Sequence, residues 1–397
     1  MEQLKEKSAI LISQHSLDFQ RFLLKKINWN NRLICILGSR GAGKTTLLLQ
    51  RIKMMNAAPD ECLYITLDDI YFSSNTLVAT AERFRQLGGK YLFIDEVHKY
   101  SGWAREVKNI YDFYKDLHLI VTGSSIIELL GLEVDLSRRA RQYELNGMSF
   151  REYLEYEEGI KVDPVTLEDI LTNHVLMASD LNGYKPIKLF KNYLQHGYYP
   201  FYKEDKEGYF IQLSRVVNLI VEYDLAFLQG IDKQQIRKIY QLLGIFAAQV
   251  PFKPNMTRLA KTLEMSRNTL VQYFHYLEKA KMIQQVYLEG KGMGMIEKPS
   301  KVLLDNPNLF EALSSSPANT GSRRECFFVN QFRNSGHEVS LAKAGDFIVD
   351  NKYTFEVGGA DKTFKQISGI VNSYIAADDL EIGSGSRIPL WMFGLMY

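Results

Sequence analysis

The sequence predicts an α/β chain: a mostly parallel sheet covered on both faces, then helices, then a second and smaller α/β segment. Three observations carry this. Between residues 32 and about 145 the apolar runs RLICIL, CLYITL, YLFID and LHLIVTG alternate with helical stretches, the pattern of βαβ units. The first run leads directly into the glycine-rich GSRGAGKT. From 149 to about 250 only helical periodicity remains, and after about residue 300 strand-like runs return.

Taken in order, residues 4–28 have helical spacing and end at Asn30-Asn31. Four strands and their helices follow. In 207–229 the apolar residues Phe210, Leu213, Val217 and Ile220 recur at helical spacing, and Pro251 and Pro254 mark a boundary. Residues 255–288 read as helix, turn, helix, strand. A helix around 319–335, three short strands, a helix from about 361 to 377 and a closing strand complete the chain.

The 397 residues suffice for two to four domains. A net charge of +2 provides no global excess for a polyanion, so any basic surface must be local. Cys35, Cys62 and Cys326 have no metal-ligand spacing; the first two read as core, and scattered thiols fit a reducing cytoplasm. MEQLKEKSAILISQ is too charged for a signal peptide, and no apolar run reaches eighteen residues. A cytoplasmic protein with no membrane partner is therefore expected.

GSRGAGKT fits GxxxxGK[ST] in full. Gly38, Ser39, Arg40, Gly41, Ala42 and Gly43 would curl backbone N–H groups around the phosphates of ATP, with Lys44 on the β/γ-phosphates, the Thr45 hydroxyl on Mg²⁺ and Thr46 next in the helix. The plain alternative, a chance glycine-rich turn, is disfavoured by the strand before it and the helix after it. YLFIDE ends an apolar strand in two acids. Asp95 would hold Mg²⁺ and Glu96 would deprotonate the attacking water; a strand-end acidic turn is the rival. Together the two sites point to an ATPase. LHLIVTGSS brings Thr122, Ser124 and Ser125 to the same strand edge. Thr122 is the better candidate there, because Ser124 or Ser125 could equally cap a helix before IIELL. Asp68 and Asp69 either face that edge or make a turn.

GSRGAGKTT, YLFIDEVHK, GWAREVKNIYDFY, LIVTGSS and RRARQYELNGMSFREYL occur in that order. The chain thereby resembles a large prokaryotic family of AAA-type (AAA+) P-loop ATPases whose C-terminal half is a domain of unknown function. The resemblance implies that Thr122 acts as the sensor that positions the hydrolytic water. It also implies an arginine finger within LSRRA, with Arg139 at the matching position. Arg138 replaces the family's glycine, which leaves Arg138, Arg139 and Arg141 as alternatives, beside the reading of a solvated basic turn. A finger would act within a homo-oligomer.

Residues 256–286 have the spacing of a winged helix: Leu259, Ala260, Leu263, Met265, Leu270, Phe274 and Leu277 inward, Ser266 as cap, and Arg267, Asn268, Gln272 and His275 outward. Glu264 holds the turn position often taken by Gly. Lys253, Arg258, Lys261, Arg267, Lys279 and Lys281 outnumber Glu264 and Glu278, which tilts the module toward DNA, with a protein partner as the rival. Beyond residue 300, KVLLDNPNLFEAL, RRECFFVNQFRNSGHEVSL, GDFIVD, FEVGG and IPLWMFGLMY continue the resemblance, which implies a restriction-endonuclease-like fold. Its metal-binding acids correspond to Glu325, Asp346 and Glu356. Gly358 stands where the lysine of Glu-x-Lys is expected, although Lys362 or Gln366 could reach in. An inactive remnant used for docking is the expected reading, and an active ATP-controlled nuclease is the alternative.

The expected domains are an ATPase domain at 1–148, a helical domain at 149–250, a winged helix at 251–299 and the nuclease-like domain at 300–397. The histidines show no metal-ligand spacing; His98, following the acid pair, either touches the nucleotide region or, the expected reading, is a surface residue at a helix start. Trp103 and YYPFY read as core anchors.

Overall fold

The apolar run Leu33–Gly38 (β1) is buried at every position, as a strand with helices on both faces must be. The computed structural model describes residues 1–126, 136, 138–225, 231–248, 253–290, 298–314 and 319–397. The chain divides into two compact units, Met1–Gly147 and Met148–Tyr397.

In the first unit, α1 (Glu2–Gln14) and α2 (Phe22–Lys26) precede β1. They replace the single helix expected over 4–28: Arg21, between them, is extended. α3 (Lys44–Met55), β2 (Cys62–Thr66), α4 (Leu77–Gln86), β3 (Tyr91–Asp95), α5 (Trp103–Phe113), β4 (His118–Ser124) and β5 (Arg141–Glu144) follow. The sheet order is β2-β3-β4-β1-β5, and every pairing is parallel. Parallel strands place all their C-terminal ends at one edge. β4 lies between β1 and β3, so that edge brings together the phosphate-loop strand, the Thr122 strand and the acidic strand. β5 was not among the expected strands; RQYE is a largely exposed edge strand without an apolar run. Gly38 is required where β1 leaves the sheet, since a Cβ there would lie 2.4 Å from the Leu145 carbonyl oxygen. Trp103 is core, as expected.

The second unit begins with Ser149 capping α6 (Phe150–Glu158) in a reciprocal capping box with Glu152. α7 (Leu167–Leu181), α8 (Pro186–His196), α9 (Tyr209–Leu219), α10 (Lys233–Ala248), α11 (Met256–Thr262) and α12 (Arg267–Lys279) follow. α9 buries Tyr209, Leu213 and Val217, whereas Phe210, expected inward, is exposed. A buried amide secures the end of α8: Asn308 Nδ2 donates to the Tyr193 and Leu194 carbonyls, each at 3.1 Å, while its Oδ1 accepts from Tyr198 N and Tyr209 Oη. Tyr198 and Tyr199 of YYPFY are buried, while Phe201 and Tyr202 are half-buried.

β6 (Ile283–Val286) and β7 (Lys301–Leu304) pair antiparallel. After α13 (Leu309–Leu313) and α14 (Thr320–Asn334) comes a sheet of order β12-β11-β10-β9-β8. It comprises β8 (Val339–Leu341), β9 (Phe347–Val349), β10 (Tyr353–Gly358), β11 (Ser373–Ala377) and β12 (Arg387–Pro389). β8, β9 and β10 run antiparallel, whereas β10, β11 and β12 run parallel. α14 packs on this sheet through Phe328 and Phe332, whose rings meet Phe347, Phe355 and Phe393. The helix expected over 361–377 is absent: a single 3-10 turn, Phe364–Gln366, leads to β11. Gly369 (φ 79°) and Asn372 (φ 55°) turn the chain into the left-handed region, which interrupts a helix. The closing strand is β12 alone, and Leu390–Leu395 form a 3-10 helix. No described helix is long and apolar enough to cross a membrane.

Candidate functional site

Between β1 and α3 the backbone of Gly41 (φ 77°) and Gly43 (φ 94°) takes the left-handed conformation that curls a loop around a phosphate-sized space. Lys44 opens α3, and its buried ammonium donates to the carbonyls of Gly38 (2.9 Å) and Ser39 (3.0 Å), which holds the loop in shape. Buried Arg21 supports the loop from below. It donates to Ala42 O (2.5 Å), Asn146 O (2.7 Å) and Gly147 O (3.0 Å). Thr46 is exposed at the start of α3, and Arg40 is half-buried on the loop.

Asp95, 1% exposed, is the hub of the edge. Its Oδ2 accepts from Thr45 Oγ1 at 2.6 Å and from Tyr64 Oη at 2.8 Å. Its Oδ1 accepts from Thr122 Oγ1 and, at 3.0 Å, from Glu96 N. The hydroxyl and carboxylate proposed for Mg²⁺ are thus in contact across the sheet, and Thr122 reaches the same carboxylate from β4. Burial, then the Asp95 charge, pushes the Tyr64 phenol well above its ordinary range, so it remains a donor. Tyr64 was missed because its strand reads as core; only the pairing of β2 with β3, which sets Tyr64 opposite Phe93 and lets its hydroxyl reach Asp95, reveals it.

Glu96 caps a short turn, Val97–Lys99, at φ 53°, an uncommon conformation for a side chain of this size. Its N–H also reaches Thr122 Oγ1 at 3.4 Å. His98 is not the surface residue expected. Its side chain is only 7% exposed, and its Nε2 lies 3.2 Å from Glu96 Oε2. Asp69 serves turn chemistry, capping the 3-10 helix Ile70–Ser73 through Tyr71 N and taking an ion pair from Lys7; Asp68 is exposed. Ser124 and Ser125 are buried, while the helix expected for IIELL falls largely on residues outside those described. Arg139 is clasped by Asp112 of α5, Nε to Oδ1 at 2.9 Å and Nη2 to Oδ2 at 3.0 Å. Arg138 is exposed and Arg141 begins β5, also exposed.

In the second unit α11 and α12 bury most of the residues expected to face inward. Leu259, Ala260, Leu263, Leu270, Phe274 and Leu277 are buried, Met265 is half-buried, and Ser266 caps α12. Glu264 adopts φ 50°, the left-handed turn that Gly would take at less cost. Lys253, Arg258, Lys261, Arg267, Asn268 and Gln272 are exposed, and His275 is half-buried.

Glu325, Asp346 and Glu356 lie in one electrostatic neighbourhood, but each has a partner. Glu325 binds Lys301 (2.7 Å) and Glu356 binds Lys362 (2.6 Å), while Asp346 Oδ2 accepts from Val357 N (2.8 Å). Gln366 also donates to Glu356 Oε1 at 2.6 Å. Both residues that could reach in therefore do so. A Cβ on Gly358 would lie 2.7 Å from Lys362 Cδ, so the missing side chain leaves the room that Lys362 fills. Burial, opposed by the lysines, raises the Glu325 and Glu356 carboxyls. Burial would lower Lys362, but Glu356, Asp346 and Glu325 together hold it above its ordinary value. Among the described residues no group of three His, Cys, Asp or Glu is arranged to hold a metal ion.

Residues 30–154 match a family described as an AAA domain, and residues 187–318 match a domain of unknown function (DUF8612). An uncharacterized protein of Methanocaldococcus jannaschii is 27% identical over 428 residues, covering 96% of this chain and 89% of the relative. Among solved structures, AMPPCP-bound DnaA from Aquifex aeolicus aligns at 17% identity over 70% of this chain and 89% of that one, with a TM-score of 0.26. The Hsp104–ADP complex of S. cerevisiae aligns at 16% identity over 69% of this chain and 39% of that one, with a TM-score of 0.27. The chain thus has a region that matches an AAA domain, followed by a region that matches a domain of unknown function.

Proposed function

We propose that the protein is a Mg²⁺-dependent ATPase of the AAA+ type, converting ATP and water to ADP and phosphate. The observation that supports this most directly is the meeting of Thr45 and Asp95 at 2.6 Å, with Glu96 the next residue on the strand end. A hydroxyl and a carboxylate on a phosphate loop fit Mg²⁺, which takes few protein ligands and completes its shell from phosphate and water. Thr45 and Asp95 would hold the ion, which supplies charge neutralisation between the β- and γ-phosphates. The N–H groups of 38–46 bind phosphate oxygens, and Lys44 exchanges its two carbonyls for the β/γ-phosphates. Thr122 orients water, and Glu96 takes its proton. Arg139 is the proposed finger toward a neighbouring subunit, which requires its ion pair with Asp112 to open.

Lys44→Ala should weaken MgATP binding by roughly 10–100-fold or more, the worth of one or two charge-assisted hydrogen bonds. Equilibrium binding of a fluorescent nucleotide measures it, and wild-type affinity would overturn the assignment. Mixing this variant with Arg139→Ala should restore part of the turnover if the finger acts between copies; additive inactivity would remove Arg139 from the site.

The second reading is a nucleotide-gated DNA-binding switch with slow hydrolysis, and the observation favouring it is the exposed basic face of α11 and α12. In this reading, and in the first, 149–250, the winged helix at 251–299 and the nuclease-like 300–397 convey nucleotide state to DNA or to a protein partner in the cytoplasm. DNA binding should fall linearly in log K against log salt, with a slope of roughly −0.9 per phosphate contact. Lys261→Ala with Arg267→Ala should flatten that slope by about two contacts. No shift of DNA mobility at low salt, with or without ATP, would leave a protein partner as the occupant of this face.

A further inference from the structure

We propose that His98 is the positioning residue for Glu96, an inference that rests on the ATPase reading above. The Ser124 backbone N–H donates to His98 Nδ1 at 3.4 Å. A ring nitrogen that accepts carries no proton, so the neutral imidazole holds its hydrogen on Nε2. That nitrogen is buried and lies 3.2 Å from Glu96 Oε2. Such catalytic contacts often tighten only when substrate arrives.

The geometry ties the base to one strand at two points. The Glu96 main chain meets Thr122 of β4 at 3.4 Å, and its side chain meets His98, which is itself seated on Ser124 of β4. The tip of β4 also faces the phosphate loop, since Ser124 is in register with Gly38. A γ-phosphate that moves this tip therefore moves Thr122 and the Glu96 carboxylate together. His98 aligns the carboxylate with the water; it does not take the proton.

His98→Ala should lower kcat by roughly 10- to 100-fold, the cost of misplacing a reacting group, with KM and nucleotide affinity within about two-fold. His98→Gln, which keeps an N–H donor on a side chain of similar reach, should recover most of the loss. In a Glu96→Gln background His98→Ala should add nothing, because the two act as a unit. Ring ¹⁵N shifts provide a readout independent of turnover: the wild type should show an Nε2–H tautomer at His98, kept in Glu96→Ala by the Ser124 N–H but with the Nε2 shift moved by loss of the carboxylate. Losses that add in full, or a His98→Ala enzyme within two-fold of wild type, would overturn the positioning role. A fixed tautomer in a protein that hydrolyses no ATP would overturn the ATPase reading, and this role with it, while leaving the contact in place.

Discussion

Glu96→Gln is expected to bind MgATP as the wild type does and to hydrolyse it roughly 10²–10⁴-fold more slowly, the usual worth of a general base. The amide is isosteric and removes only the basic oxygen. The Glu96 N–H keeps its bonds to Asp95 Oδ1 and Thr122 Oγ1, and Thr45 keeps its bond to Asp95 Oδ2. Phosphate release read beside nucleotide binding separates the two effects. Turnover at the wild-type rate would remove Glu96 as the base, and loss of binding would recast it as a residue that holds the loop.

No Mg²⁺- or Mn²⁺-dependent cleavage of single- or double-stranded DNA or RNA is expected, with or without ATP. From the sequence, this rested on Gly358 replacing a lysine. The tertiary structure returns a lysine, Lys362, and changes the ground for the expectation. Its ammonium is held on Glu356 Oε1, which also accepts from Gln366, and Lys301 neutralises Glu325. A divalent ion would have to displace both ammonium groups from carboxylates with little access to water, since the Glu356 side chain is 0% exposed. Lys362, held on Glu356, is then not free to face a scissile phosphate. Loss of one such electrostatic contact costs about 3–4 kcal/mol, a few hundred-fold in rate. Cleavage abolished by Asp346→Ala and by Lys362→Ala would overturn this and make Lys362 a working lysine.

The pH dependence of this cluster has a definite sign. The folded-state carboxyls of Glu325 and Glu356 are raised. Their contribution to stability is fully present below the ordinary glutamate pKa and is lost as pH rises through the raised values. The lysines oppose burial within that balance, and the net shift is still upward.

The parts legible in the sequence are those whose physics is local. GSRGAGKT needs left-handed glycines and a helix start within eight residues, and YLFIDE needs one buried strand with acids at its end; both are written contiguously. Ser266 caps its helix for the same reason, a side chain bonding an N–H three residues on.

What only the tertiary structure decided is which distant side chain completes each local motif. β5 is a polar edge strand, so no apolar periodicity announces it. Tyr64 looks like core until β2 aligns with β3 and its hydroxyl meets Asp95. His98 looks like a surface turn until Ser124, 26 residues away, takes its ring nitrogen. Arg139 is a basic turn residue until Asp112, 27 residues back, clasps it. Lys362 substitutes for position 358 only because Gly358 leaves the space. Each of these pairings is a hydrogen bond or ion pair made after the chain has folded. Backbone propensity and hydrophobic period act over a few residues and carry no information about it.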